Sequence, residues 1–208
     1  MIVIVDYGMG NIHSVQKALE TLGAKTIVSH KPEDVNSADK IVLPGVGAFD
    51  DAMLELEKQG LIDPLKDYIG RNRPFLGICL GMQILFEASE EAVLKKGLGI
   101  FKGAVKKFIP GPKLKVPHMG WNQLRISHIV YRLSQGSPLL KDVKDEEYVY
   151  FCHSYYPEPA EKDIIIATTD YGGEFASVVG RGNVFGVQFH PEKSQETGLK
   201  ILKNFIAL

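Results

Sequence analysis

The chain has 208 residues, of which 45% are hydrophobic and 24% charged, and its formal net charge is −1. This length can bury a full core without cross-links, and the near-zero charge gives no electrostatic case for binding nucleic acid or an anionic membrane. Two cysteines make no disulfide framework, which favours a reducing cytoplasm. The apolar run at 1–5 is too short for a signal peptide, and no segment is long enough to span a membrane.

The first ninety residues alternate between apolar runs and amphipathic spacing. The apolar runs predict strands at 2–5, 25–29, 40–43 and 74–78, and the helical spacing predicts helices at 12–22, at 49–59, after Pro64 and from Leu80 to Ala88. This alternation predicts a parallel sheet with helices on its faces, joined by right-handed crossovers.

From about residue 100, short β-like runs are separated by Pro, Gly and Asn. They lie at 105–109, 122–126, 148–152, 164–169, 175–179 and 184–189, and a last helix begins near 194. We interpret them as antiparallel additions to the same sheet and as further central strands, not as a second domain. The sequence therefore predicts one α/β domain over 1–208, with a mixed but mostly parallel sheet. A basic segment that includes Lys102, Lys113 and Lys115 is predicted to be solvent-exposed surface.

One cysteine lies at the predicted junction of a strand and a helix. Cys79 has a glycine two residues to either side, as in the tight nucleophile turn of serine hydrolases. A thiol at a helix N-terminus is favoured as thiolate, and the N–H of Leu80 is free to donate because the first N–H groups of a helix have no internal acceptor. Cys79 can therefore be a nucleophile, or alternatively a buried core cysteine.

A base for such a thiol is found near the C-terminal end of the chain. His190 follows the last apolar run, and Pro191 holds it extended. In an extended chain Glu192 points the same way as His190 and can accept its second N–H, as the acid does in a serine triad. The alternative is a surface His-Pro-Glu turn. We predict that Cys79 and His190 meet at the carboxyl ends of strands, where α/β ligand sites form.

The turn that includes Val46 and Gly47 follows the strand at 40–43 and reaches the same sheet edge. It is predicted to supply the second oxyanion donor, although a simple turn is the alternative. The Gly8-Met9-Gly10 segment lacks the third glycine of a dinucleotide fingerprint. The histidines at 118, 128 and 153 show no ligand spacing, so neither a metal nor a cofactor is predicted. Cys152 is predicted to be a packed core thiol.

The Cys79 turn with Gln83, taken together with His190-Pro191-Glu192, resembles the class I, triad-type glutamine amidotransferases. Within that family the chain is most similar to the glutaminase subunits of imidazole glycerol phosphate synthase. The resemblance covers the whole chain, and its segments are Asp6-Tyr7-Gly8-Met9-Gly10-Asn11, Leu43-Pro44-Gly45-Val46-Gly47-Ala48-Phe49, Pro117-His118-Met119-Gly120-Trp121-Asn122, His153-Ser154-Tyr155 and Gln188-Phe189-His190-Pro191-Glu192-Lys193-Ser194. It implies hydrolysis of L-glutamine to glutamate and ammonia through a cysteine thioester.

The resemblance also implies roles for residues at this site. Cys79 is the expected nucleophile, His190 the base and acid, and Glu192 the residue that orients His190. The expected oxyanion donors are the N–H of Leu80 and a peptide N–H near Val46 or Gly47. Four residues are expected to contact the amino-acid end of the substrate: Gln83, Glu91, Ser154 and Tyr155. Glu91 is expected to face the ammonium group, and the backbone of Ser154 and Tyr155 to face the carboxylate.

The resemblance implies a partner as well. Ammonia would pass to a (β/α)8-barrel cyclase in a heterodimer that makes imidazole glycerol phosphate and AICAR in histidine biosynthesis. Trp121, Tyr150 and Lys193 resemble residues at that interface, although Trp121 could instead be a core residue. Three alternatives stay open: another class I glutaminase subunit, a cysteine hydrolase of similar topology, and a non-catalytic binding subunit. A cytoplasmic location is expected, with no role for nucleic acid or membrane.

Overall fold

The computed structural model describes residues 1–111, 114–127 and 137–208. Lys113, predicted to be surface, and His128, considered above as a metal ligand, lie outside these residues. The strands of the central sheet are, in spatial order, β2 (Thr26–Ser29), β1 (Ile2–Val5), β3 (Lys40–Gly45), β4 (Phe75–Cys79), β13 (Val184–Val187), β12 (Glu174–Arg181), β11 (Ile165–Asp170) and β8 (Arg125–Ile126).

The first five strands of this order run parallel, and the last three continue antiparallel. Every residue of β1, β4 and β13 is buried, which explains their continuous apolar sequences, because helices cover both faces of a parallel sheet. The predicted α/β architecture with a mixed, mostly parallel sheet is confirmed.

Helices pack on both faces of the sheet. They are α1 (Ile12–Thr21), α2 (Pro32–Ser37), α3 (Phe49–Lys58), α4 (Ile62–Gly70), α5 (Leu80–Gln83) and α6 (Gln195–Ala207), with 3₁₀ turns at Pro138–Leu140, Lys162–Ile164 and Pro191–Lys193. One hydrophobic core joins the sheet to α2, α3 and α4, and the other joins it to α1 and α6. In α1 the buried side chains are Val15 and Leu19, as the helical spacing predicts.

The second half of the chain departs from the prediction in the pairing of its strands and in an additional strand at Tyr155–Pro159. Only some of its strands extend the central sheet. β10 (Tyr155–Pro159), β6 (Phe101–Lys107) and β5 (Phe86–Ser89) form a separate three-stranded sheet, and β7 (His118–Gln123) pairs with β9 (Tyr148–His153) in a two-stranded ribbon. The predicted strand at 122–126 is thus divided between β7 and β8.

The helix predicted from Leu80 to Ala88 is wrong beyond its first turn. α5 ends at Gln83, because the carbonyls of Ile84 and Leu85 accept hydrogen bonds from residues 98–101 and do not continue the helix. The chain then enters β5, which contains Ala88. Among the described residues, none of the helices combines the length and the apolar character needed to cross a membrane.

Candidate active site

The turn between β4 and α5 holds Cys79 in an unusual backbone conformation. Its φ of 55° lies in the left-handed region, which is strained for a residue with a side chain. The glycines on either side permit this tight turn. A Cβ on Gly81 would overlap the carbonyl oxygen of Leu43, and a Cβ on Gly77 would overlap that of Gly81. The sequence pattern around Cys79 therefore reflects a backbone constraint, and the thiol is directed to the carboxyl edge of the sheet.

His190 and Glu192 form a buried pair beside this turn. The Nδ1 of His190 lies 2.9 Å from Oε1 of Glu192, and the two side chains are 5% and 1% exposed. Burial alone would lower the pKa of His190, but its hydrogen bonds with the Cys79 thiol and the Glu192 carboxylate outweigh burial and raise that pKa to about 10. His190 therefore carries its proton at neutral pH, between a sulfur and a carboxylate.

The local geometry of this pair differs from the prediction in one detail. Glu192 lies in the 3₁₀ turn Pro191–Lys193 and not in an extended segment. Pro191 begins that turn, where its missing N–H and fixed φ cost nothing. This turn brings the Glu192 carboxylate back to the His190 ring. The two side chains therefore meet because the backbone turns, and not because they lie on the same side of an extended segment.

Gln188 is a neighbour of the thiol that the sequence reasoning overlooked. Its Nε2 donates to Sγ of Cys79 at 3.6 Å, and its Oε1 accepts from Nε2 of Gln83 at 3.0 Å. Gln83 also donates to the carbonyl of Tyr155 at 2.9 Å. Gln188 is fully buried, and its position two residues before His190 was the available signal.

Tyr7 is a second residue that the sequence reasoning overlooked. It is fully buried, and its hydroxyl has no hydrogen-bond partner within the described residues. A Cβ on Gly45 would overlap this hydroxyl, so the ring reaches the end of β3. Burial, followed by the charge of Cys79, raises the pKa of Tyr7 above its ordinary value. The hydroxyl is therefore a neutral group close to the thiol.

The turn after β3 and the loop that bears Glu91 are joined by one hydrogen bond. The N–H of Phe49 donates to Oε2 of Glu91 at 2.9 Å, two residues after Gly47. Gly47 has a φ of 101°, in the region that favours glycine, and Val46 is exposed. Burial and the nearby carboxylates of Asp50 and Asp51 raise the pKa of Glu91, against the effect of the Phe49 N–H.

These residues surround a cleft of about 340 Å³. It is lined by Val46, Gly47, Cys79, Leu80, Gln83, Glu91, Pro117, Cys152, His153, Ser154, Tyr155, His190 and Lys193. The predicted oxyanion and substrate residues therefore lie together, while Glu192 lies behind the ring of His190. The expectation that Cys152 is a packed core thiol is wrong, because it is partly exposed and lines this cleft.

The three residues expected at a partner interface form one patch next to the cleft. The rings of Trp121 and Tyr150 meet edge to face with centroids 6.0 Å apart, and Nζ of Lys193 lies 5.9 Å from the centroid of Tyr150. Trp121 is 45% exposed and belongs to β7. It is thus a surface residue, on the same ribbon as the exposed Met119.

Over residues 1–111, 114–127 and 137–208 we find no group of three or more His, Cys, Asp or Glu side chains placed to hold a metal ion. The site itself brings together a thiol, an imidazole and a carboxylate. A thiol that contacts a charged imidazole, which in turn bonds to a buried carboxylate, is the arrangement of cysteine enzymes that cleave amides by nucleophilic attack.

Comparison with known proteins agrees with this class. The chain belongs to the class I glutamine amidotransferase family, whose model matches residues 3–208. It is 49% identical to the imidazole glycerol phosphate synthase subunit HisH of a Cyanothece species over 100% of this chain and 95% of that protein. The HisH subunit of Halalkalibacterium halodurans is likewise 49% identical, over 100% of this chain and 96% of the relative.

Solved structures show the same fold at much lower identity. A crystal structure of a glutamine amidotransferase superposes with a TM-score of 0.75 at 16% identity, covering 100% of both chains. A structure of PurLQS from Thermotoga maritima gives a TM-score of 0.73 at 19% identity, over 99% of this chain and 97% of that one.

Proposed function

We propose that this chain hydrolyses L-glutamine to glutamate and ammonia on Cys79, as the glutaminase subunit of an imidazole glycerol phosphate synthase. The observation that carries the proposal is the buried His190–Glu192 pair in contact with Cys79, at a cleft bordered by Glu91 and Gln83. The close similarity to HisH subunits supports the assignment to histidine biosynthesis. We expect the protein to act in the reducing cytoplasm, where Cys79 stays a free thiol.

The first half of the reaction uses the thiol and the imidazole. The Cys79 thiolate attacks the carboxamide carbon of glutamine, and the imidazolium of His190 protonates the departing nitrogen, which leaves as ammonia. The product of this half is a γ-glutamyl thioester on Cys79. Glu192 accepts the Nδ1 proton in a hydrogen bond, which holds the ring with its other nitrogen toward the sulfur.

Water then completes the cycle. His190, neutral after it has given its proton to the departing nitrogen, takes a proton from water as the water oxygen attacks the thioester carbon. The carbon–sulfur bond breaks, glutamate leaves, and the thiolate–imidazolium pair is restored.

The oxyanion of each tetrahedral intermediate requires donors aimed at one point of the cleft. Leu80 is the first residue of α5, where N–H groups have no helical acceptor, and we propose that its N–H is one donor. The second is a peptide N–H of the turn at Val46 and Gly47, which lines the same cleft. Each donor is worth on the order of 10²–10³ in rate.

The amino-acid end of glutamine fits the other wall of the cleft. Glu91 offers a carboxylate for the ammonium group, and the backbone near Ser154 and Tyr155 is placed to meet the carboxylate. Both N–H groups of Gln83 are already used, one for Tyr155 and one for Gln188. Gln83 therefore presents only its carbonyl oxygen to the substrate, which suits an ammonium or an amide N–H.

A barrel-shaped cyclase that consumes the ammonia is the proposed partner, in a heterodimer. We propose that it docks on the patch of Trp121, Tyr150 and Lys193. An exposed aromatic pair with a cation beside it is typical of the anchor residues of interfaces. Lys193 belongs both to this patch and to the cleft lining, so the docked partner would lie next to the point where ammonia is released.

The decisive measurement is glutamate release by the chain mixed with the cyclase and its nucleotide substrate. Glutamine turnover should require the complex and should vanish in Cys79→Ala, because the thiol of Cys79 is the one that is hydrogen-bonded to His190. The same variant complex should keep its ammonia-dependent cyclase activity, which shows that assembly is intact. Cys152→Ala is the matched control and should stay active. Glutamine turnover that survives in Cys79→Ala would contradict the mechanism.

A further inference from the structure

A pair of buried histidines lies at the cleft, with His153 in its lining and His118 behind His153. His118 on β7 and His153 on β9 are direct partners in the ribbon register and are 3% and 6% exposed. The ring of His118 is stacked between those of Phe151 and Tyr171, with centroid distances of 4.7 and 3.8 Å. The mechanism above uses neither histidine.

The hydrogen bonds of this pair can run in only one direction. The carbonyl of Tyr155 can only accept, so Nδ1 of His153 donates to it at 2.8 Å. Nε2 of His153 then accepts from Nδ1 of His118 at 3.0 Å, and Nε2 of His118 accepts from Nδ2 of Asn122 at 3.3 Å. This order holds only while both rings are neutral. A proton added to Nε2 of His153 would point at the N–H on Nδ1 of His118, and the hydrogen bond between the two rings would be lost.

The surroundings keep the rings neutral. Burial lowers the pKa of His118 to about 4. Burial also lowers the pKa of His153, to about 3, and the neighbouring His118 and His190 add to the decrease while its bond to the Tyr155 carbonyl opposes it.

The carbonyl of Tyr155 connects this pair to the thiol. It accepts a second hydrogen bond from Nε2 of Gln83, whose other N–H donates to Oε1 of Gln188. The orientation of Gln188 is thereby fixed, and its Nε2 faces Sγ of Cys79. One directed series of hydrogen bonds thus runs from Asn122 on the ribbon to the sulfur.

We propose that His118 and His153 are positioning residues that hold the Tyr155 carbonyl, and through it the amides of Gln83 and Gln188, so that an N–H donor is presented to the Cys79 sulfur. We call this series, from Asn122 to Cys79, the histidine relay. The part that concerns turnover rests on the proposed glutaminase function. The part that concerns the reactivity of the thiol does not.

Two substitutions at His118 separate hydrogen bonding from packing. His118 does not line the cleft, so its loss removes no substrate contact. His118→Phe keeps an aromatic ring between Phe151 and Tyr171 but removes both nitrogens. His118→Asn gives up the stacking but keeps an amide N–H where Nδ1 stood. The relay therefore predicts that Phe is the damaging substitution, whereas a purely structural role predicts that Asn is.

The first readout is the rate at which iodoacetamide alkylates Cys79 at pH 7, with the modified cysteine identified by mass spectrometry because Cys152 shares the cleft. His118→Phe should lower this rate about tenfold, the effect of losing one hydrogen bond to a charged group, and His118→Asn should stay within about twofold of the unmodified chain. The second readout is glutamine turnover in the cyclase complex, which should follow the same order while ammonia-dependent activity is unchanged.

An unchanged alkylation rate in His118→Phe, or an equal loss in both variants, would overturn the proposal. Gln188→Met breaks the relay at its other end without touching the aromatic cluster, so it provides the test if His118→Phe fails to fold, and an unchanged rate in this variant overturns the proposal as well. If the unmodified complex shows no glutamine turnover, the proposed function fails, and the alkylation rates still decide the relay.

Discussion

At the scale of single residues, the backbone around Cys79 limits which side chains its neighbours can carry. Gly81 has no room for a Cβ because the carbonyl oxygen of Leu43 occupies that position. The strain at Cys79 itself is tolerated because β4, which ends in Cys79, is paired with β3 on one side and with β13 on the other. The glycines next to the thiol are therefore structural requirements of the site and not flexible points.

Gly81→Ala should accordingly destabilise the fold by about 3 kcal/mol, since the added methyl must displace a strand backbone. Urea denaturation followed by circular dichroism measures the change in the free energy of unfolding. The control is Gly70→Ala at the end of α4, where a Cβ meets no atom within 4 Å. That variant should differ from the unmodified chain by less than about 1 kcal/mol, and a similar cost for both would refute the steric argument.

One carboxylate accepts three backbone hydrogen bonds from the loop that bears Glu91. Asp50, in the first turn of α3, accepts the backbone N–H groups of Val93, Leu94 and Lys95 at 2.8 to 3.0 Å. Asp50→Ala should release this loop and raise the KM for glutamine about fivefold with little change in kcat, because the role proposed for Glu91 is to bind substrate and not to take part in bond breaking. Asp51→Ala, at the exposed neighbouring position, is the control for charge. A fall in kcat alone would show that the loop does not act through substrate binding.

At the scale of elements, the sequence predicts what depends on local pattern and misses what depends on distant partners. The strand before Cys79 and the helix α1 follow from apolar spacing, and both are present. The end of α5 does not follow, because it is set by hydrogen bonds from residues 98–101 to Ile84 and Leu85. The pairing of β7 with β9 does not follow from local pattern either, because the two strands are far apart in the chain.

The residues of the candidate site also fall into two groups, those that a local motif predicts and those whose roles depend on the assembled fold. Cys79, His190 and Glu192 stand in short motifs with recognisable chemistry, so their encounter could be predicted from the sequence. Gln188 and the two relay histidines stand in segments that the resemblance includes, but those segments assign them no role. Their roles depend on side chains that meet only after β9, β10 and β13 have assembled.

At the scale of the whole molecule, the order of strands explains why residues more than a hundred positions apart meet. β3, β4 and β13 are adjacent and parallel, so the turn at Val46, the thiol of Cys79 and the segment that leads to His190 all leave the sheet at one edge. The carboxyl ends of neighbouring parallel strands are the usual place for a ligand site in α/β proteins.

The buried histidines should give the folded chain a stability maximum near pH 6.5. The pKa values of His118 and His153 are lowered on folding to about 4 and about 3, so their contribution is present above the unfolded value near 6.5 and is lost as the pH falls toward 3. The pKa of His190 is raised to about 10, so its contribution is present below 6.5 and is lost as the pH rises toward 10. Each group changes stability by up to about 1.4 kcal/mol per pH unit within its window.

Urea denaturation between pH 4 and pH 9.5 measures this profile. His118→Phe should flatten the acid side and leave the alkaline side unchanged, because only the acid side includes His118. An identical acid slope in this variant would show that His118 does not contribute to it.

The position of Trp121 has a practical consequence. The chain contains one tryptophan, and that indole stands 45% exposed within the proposed docking patch. The intrinsic tryptophan fluorescence of this chain therefore comes from the proposed docking patch. A shift toward the blue upon titration with the cyclase would report water leaving the indole as the two proteins join, and would yield their dissociation constant without any attached dye.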